Sequence, residues 1–299
     1  MSAALREWPW PPVPGVAEPP VWDGERFHLA GKTLSVLSYD RPPSHWTPAL
    51  TELHEQEAGQ HHPIDVASRA LALASVWRYA APDAPVVLDA GCSSGFLLED
   101  LRRSHPEAQL IGADVIAPPL ERLALRLRGV PLLQFDLQRC PLPDACVDAV
   151  TALNVLEHVE RDDAALGHLF RILKRGGVAH VEVPAGPALY DIYDEQLLHH
   201  RRYDRAALMA QARTAGFVVR RATHLGALLY PAFRVVKKRN KRLLSRPPEE
   251  KRRIVAGQIR RTSASLPVKW LLRLELALGR WLAYPFGVRC IVVLQKPAR

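Results

Sequence analysis

Cysteine is scarce in this chain. It has four, Cys92, Cys140, Cys146 and Cys290, with no C-x-x-C pair among them. That argues against a disulfide framework and a zinc knuckle, and for reduced thiols in a cytoplasmic protein. Long apolar runs are also missing. No uncharged stretch approaches the roughly 18 apolar residues of a membrane span, and the opening MSAALREWPWPPVPG has no run of signal-peptide type. We expect a cytoplasmic protein, with attachment to a membrane surface left open.

Acidic residues are short in one region. Residues 196–299 hold 24 Lys/Arg against 4 Asp/Glu, or +20, while residues 1–195 hold 16 against 27, or −11, which returns the +9 of the whole chain. So one-sided a third either meets an anionic partner or is a solvated basic surface. Nucleic acid is the less favoured partner. The basic clusters lack the regular aromatic interleaving of a stacking platform, and nothing reads as an RNA-recognition motif.

Three regions follow. Residues 1–80 form a Pro-rich arm, a short hairpin and lid helices. The arm WPWPPVPGVAEPP should be extended and poorly ordered unless Trp8 and Trp10 dock. The hairpin turns at Ala30-Gly31-Lys32, one helix starts at Ser44 and runs to Ala58, and another follows Pro63. Residues 81–224 and 287–299 alternate strands and helices. The apolar runs at 86–89, 110–114, 131–135, 146–153 and 177–183 suit a parallel sheet buried on both faces. A sixth strand begins near Gly216, and a final one spans 288–294. Residues 225–286 are a basic, mostly helical insertion between the last two strands. The fold class is α/β, a Rossmann-like doubly wound sheet of seven strands with the last antiparallel.

The first core strand ends in Asp89, and a glycine turn opens the next helix. Gly91 and Gly95 let the backbone approach a ligand closely. Asp89 can face an ammonium, and the helix N–H groups a carboxylate. Asp114, 25 residues later at the end of the second strand, is placed to hold ribose hydroxyls. The G-x-G-x-x-G of nicotinamide folds is absent.

Asp89-Ala90-Gly91-Cys92-Ser93-Ser94-Gly95 resembles the first motif of class I S-adenosylmethionine-dependent methyltransferases, D-x-G-x-G-x-G, with Ser93 for the middle glycine. Gly112-Ala113-Asp114, Phe135-Asp136-Leu137, Leu153-Asn154-Val155-Leu156-Glu157-His158-Val159 and Leu173-Lys174-Arg175-Gly176-Gly177 resemble later segments of the ubiquinone-biosynthesis-like (type 11/12) subgroup. The resemblance covers residues 86–184 closely. It implies S-adenosylmethionine as cofactor, held by Asp89, Gly91, Cys92, Ser93, Gly95, Phe96, Asp114, Val115, Asp136, Leu137, Asn154 and Val155, with Asp136 on the adenine amino group.

The segment Asp194-Glu195-Gln196-Leu197-Leu198-His199-His200-Arg201-Arg202-Tyr203 is similar to a D-E-x-x-G-H-x-R-R-Y segment of the same subgroup, with Leu198 in place of glycine. His199 is the expected base for an acceptor hydroxyl, unless it only orients a loop. His158, Arg201, Arg202 and Tyr203 are expected at the acceptor. The arginines would clamp an anion or pair with Asp191, Asp194 or Glu195. His54, His61 and His62 match no zinc spacing, and no metal is expected. The acceptor expected is a small molecule or a lipid- or sugar-linked one, methylated on oxygen. Peripheral membrane contact through 225–286 is consistent with its apolar helix beside basic clusters. The alternatives are a catalytically silent membrane-associated binding module and an RNA methyltransferase.

Overall fold

The computed structural model describes residues 5–39, 60–80 and 83–298. The helix expected over 44–58, and His54 with it, lie outside these residues.

An eight-stranded sheet forms the core. β5 (Val86–Ala90), β6 (Gln109–Asp114), β7 (Leu132–Gln134), β8 (Val147–Leu153) and β9 (Leu173–Pro184) run parallel. β11 (Arg289–Gln295) enters antiparallel between β9 and β10 (Val218–Leu225). The spatial order is β10-β11-β9-β8-β5-β6-β7, with one more strand beyond β7. The seven expected strands are there, and the eighth, β4 (Leu37–Ser38), is an addition. This short N-terminal strand pairs parallel with β7 and covers that edge.

Each core strand is buried because helices flank both faces. α1 (Pro63–Tyr79), α2 (Phe96–Ser104) and α3 (Ala117–Arg126) build a cluster with Val87, Leu110 and Leu132 on one side. α4 (Asp162–Ile172) and α6 (Arg205–Thr214) build the other side around Val150, Val181 and Val292. α4 stops at Ile172, because β9 starts at Leu173.

The Pro-rich arm docks. Trp8 and Trp10 are buried, with ring centroids 4.4 Å apart, and Trp10 meets Phe27 edge-on at 4.9 Å. The indole of Trp8 donates to the Cys146 carbonyl at 3.3 Å. The hairpin is β2 (Phe27–Leu29) with β3 (Lys32–Leu34), and β1 (Val21–Trp22) adds a third strand.

The insertion forms α7 (Tyr230–Lys241), α8 (Pro248–Ala264) and α9 (Leu266–Leu278). β10 is parallel to β9 through β11, so it exits at the carboxyl edge where ligands of open α/β sheets sit. A helix placed next in the chain therefore starts over that edge. No helix among the described residues is long and apolar enough to cross a membrane.

Candidate active site

A cavity of about 1030 Å³ opens over the carboxyl ends of β5 to β9. Its floor at one end is the glycine turn. Gly91 has φ +78°, and a Cβ there would overlap the Val155 side chain; Gly95 has φ +75°, and a Cβ would overlap Leu123. Both positions need glycine twice over, for backbone angle and for space. Ser93, in place of the middle glycine, still holds φ +46°. Its N–H donates to Asp114 Oδ2 at 2.9 Å, while Asp114 Oδ1 accepts from Ile116 N–H at 3.0 Å. Burial raises the Asp114 carboxyl above its usual range, against the hydrogen bonds from Ile116 and Ser93.

Gly91, Ser93, Asp114, Val115, Asp136, Leu137, Asn154 and Val155 all line the cavity. Asp89, Cys92, Gly95 and Phe96 do not. Asp89 lies beneath the turn and accepts from the Thr151 hydroxyl at 2.7 Å. Burial pushes its carboxyl up to about 7, with the Thr151 hydrogen bond pulling the other way. There it ties β5 to β8, while turn backbone and the acids at or just past the ends of the next two strands, Asp114 and Asp136, front the cavity. Asp136 caps a turn of 3-10 helix, accepting from Gln138 N–H at 2.9 Å.

The far end is organised by Asp194, in the short helix α5 (Ile192–Gln196). Its Oδ1 meets His199 Nδ1 and Arg202 Nε, each at 2.8 Å. Its Oδ2 accepts from Asp191 N–H and from Lys237 Nζ, each at 3.0 Å. Lys237 also donates to Asp191 Oδ1 at 2.6 Å. Burial alone would raise the Asp194 carboxyl. The His199 hydrogen bond and the charges of Lys237 and Arg202 outweigh it and hold that carboxyl far below the usual range. An ionised carboxylate only accepts, so Nδ1 of His199 carries the proton. Nε2 is then the nitrogen left for the cavity that His199 lines. Burial lowers the His199 pKa, opposed by Asp194.

His158 and Arg202 also line the cavity. Arg202 is committed to Asp194 and to the Ala185 carbonyl at 2.8 Å. Of the two readings of this arginine, the internal ion pair is the one observed. Arg201 and Tyr203, also expected at the acceptor, do not line the cavity. Arg201 donates to the Glu160 carbonyl at 2.7 Å and pairs with Asp162 at 3.1 Å. The Tyr203 hydroxyl is buried on Asp162 at 2.8 Å. Their chain alternation turns these two toward α4 and leaves Arg202 facing in.

Three groups escaped the sequence reading. Lys237 sits in the run Arg234–Arg242, which reads as surface charge, yet it is buried; the only signal is Phe233 and Tyr230 on the same helical face. Glu157 is fully buried in the cavity wall, and burial pushes its carboxyl up to about 8. Its signal was an acid beside His158 just past a strand end. Arg289, at the start of β11, also lines the cavity. It pairs with Glu182 at 2.7 Å and with Asp65 of α1. The roof comes from the insertion, through residues such as Phe233, Ile254 and Gln258.

Residues 88–181 match a family described as a methyltransferase domain. A protein of Mycolicibacterium smegmatis, described as a probable S-adenosylmethionine-dependent methyltransferase, is 33% identical over 138 residues, 44% of this chain and 52% of that one. Demethylmenaquinone methyltransferase of Thermus thermophilus is 33% identical over 123 residues, 38% and 56% of the two chains. The chain thus spans about half the length of the curated relatives it matches. Among solved structures, a methyltransferase in complex with the Trm112 activator of Haloferax volcanii superposes with TM-score 0.53 at 18% identity, over 84% of this chain and 95% of that one. Phosphoethanolamine N-methyltransferase 2 of Haemonchus contortus, in complex with S-adenosyl-L-methionine, gives 0.52 at 14% identity, over 84% and 60%. The sheet order, the doubly constrained glycine turn and these likenesses agree: the core of this chain has the α/β Rossmann-like fold of those methyltransferases, and its residues 88–181 are similar to a methyltransferase domain.

Proposed function

We propose that the protein transfers the methyl group of S-adenosylmethionine to an oxygen of an anionic, lipid- or sugar-linked acceptor. The observation that carries this reading is the continuity of one cavity, from the Gly91–Ser93 turn past Asp114 to His199 and on under the basic insertion. The donor fits the first part. Backbone at Gly91 and Ser93, and carboxylates at Asp114 and Asp136, suit an amino acid joined to a ribose and adenine. When bound, that donor supplies an electrophilic methyl on sulfur. His199, with Nδ1 fixed by Asp194, presents Nε2 as a proton acceptor, the arrangement that makes imidazole a competent base. Apolar Phe233, Leu243 and Ile254 of the roof, with Arg239, Arg253 and Arg261, favour an acceptor with an apolar tail and a negative group.

Calorimetric titration with S-adenosylhomocysteine tests the donor half. We expect 1:1 binding, weakened at least tenfold by Asp114→Ala. Absence of binding by folded protein overturns the assignment. Incubation of a lipid extract with labelled donor tests the acceptor half; label confined to water-soluble products would remove the lipid-linked acceptor.

A further inference from the structure

The cavity wall brings two groups that methyl transfer by a histidine base leaves unused, Glu157 and His158, up to that base. Glu157, His158 and His199 each offer one ligand atom, and those atoms all lie within 4.8 Å of one another. Ligands 2.0–2.2 Å from a shared ion at angles of 90–120° sit about 2.8–3.8 Å apart, so side-chain movement on the order of 1 Å closes the set. Glu157 is fully buried, and neither carboxylate oxygen has a hydrogen-bond partner among the described residues. A buried carboxylate in that condition is strongly disfavoured unless something polar or charged meets it.

The cations Arg289 and Arg202 favour its charged form only from a distance, because each is paired elsewhere. Lys237 and Arg202 are matched by Asp191 and Asp194, and Arg289 by Asp65 and Glu182. Glu157 has no ion pair within 4 Å among the described residues. The Asp194–His199 contact at 2.8 Å is moreover the outer carboxylate that metal-bound histidines commonly carry, fixing Nδ1–H and leaving Nε2 as donor atom.

We propose that Glu157, His158 and His199 hold a divalent cation at the acceptor end of the cavity. Two imidazoles and one carboxylate with open positions suit Zn²⁺, Mn²⁺ or Fe²⁺. The inference rests on the cavity being a methyl-transfer chamber and gives His199 a different part in the loaded protein. The acceptor hydroxyl binds the cation through its oxygen, which lowers the pKa of its proton. The O–H bond breaks, with the proton passing to water. The oxygen lone pair attacks the sulfonium methyl, and the C–S bond breaks with its electrons going to sulfur. A methylated acceptor and S-adenosylhomocysteine result.

The test uses the full chain stripped with EDTA, titrated with Mn²⁺ and with Zn²⁺ by calorimetry. One ion of either metal per chain is expected. Glu157→Gln should lower its affinity at least tenfold, with unchanged thermal midpoint and unchanged S-adenosylhomocysteine affinity, because the native carboxylate makes no bond that glutamine would lose. His199→Gln should do the same to the metal. Asp194→Asn should lower affinity by about 10–100-fold through His199 alone. No saturable uptake, or full affinity in Glu157→Gln, overturns the proposal. Protein that binds S-adenosylhomocysteine and no cation keeps the methyltransferase reading and ends this one; protein that binds neither ends both.

Discussion

Single residues in this protein carry the marks of exchange against family glycines. Ser93 and Leu198 both stand where the matching motifs have glycine, and both retain left-handed backbone, φ +46° and +53°. The loop geometry has been kept while the residue changed, so the strain is retained. For a side chain with a Cβ it amounts to about 1–2 kcal/mol. Leu198 is 41% exposed and gives up little burial on removal. Leu198→Gly should therefore raise unfolding free energy by up to about 1 kcal/mol, after about 0.5–1 kcal/mol is returned to the unfolded chain as glycine entropy. Urea denaturation measures it; a drop in stability would mean that Leu198 packs on a neighbour in solution. These positions also show what was legible. The glycine-motif resemblance placed both loops in the site, but whether the replacing residues kept the angle required a fold.

At the scale of elements, the joint between insertion and core is electrostatic. α7 is fastened to α5 by Lys237, whose ammonium bridges Asp191 and Asp194 and lies 5.1 Å from the Tyr193 ring. α9 is fastened by Glu275, which accepts from the N–H groups of Gly226, Ala227 and Leu228 at 2.7, 3.0 and 3.1 Å. Removing one member of a buried charge network leaves the others uncompensated, a loss of about 3–5 kcal/mol. Lys237→Met should lower stability by that amount in chemical denaturation, whereas an exposed neighbour such as Lys238→Met should change it by less than about 0.5 kcal/mol. Equal effects would mean that Lys237 is solvated. Helix content and basic character of 225–286 were readable from composition. Which of its many cations turns inward was not, because charge composition carries no direction.

Over the whole molecule, the basic third presents two surfaces. Its inner surface roofs the cavity. Its outer surface exposes apolar residues: Leu266, Trp270, Leu274 and Leu278 follow helical spacing along α9, and Trp270 and Trp281 are 72% and 74% exposed. Lys269, Arg273 and Arg280 are interspersed among them. Such a face suits the headgroup region of an anionic bilayer, where tryptophan and basic residues are favoured together. Full-length protein should co-sediment with vesicles containing phosphatidylserine. Trp270→Ala with Trp281→Ala should reduce binding at least tenfold without altering S-adenosylhomocysteine affinity, and equal binding by the variant would remove this face as the contact.

The chain's linear pattern by itself determined the alternating sheet, the glycine turn with Asp114 and Asp136, and the unequal charge of its two parts. Those features are local: strand burial, backbone freedom and composition need only neighbours in sequence. Tertiary structure decided what depends on long-range closure. It set Trp8 against Cys146 across 138 positions, added β4 to the sheet edge, turned Arg201 and Tyr203 away from the cavity, and brought Lys237 to Asp194. It also gathered Glu157, His158 and His199 at one point of the wall. The segments that carry them, after β8 and after β9, converge only when the sheet is assembled, and side-chain direction there is set by packing and by counter-charge.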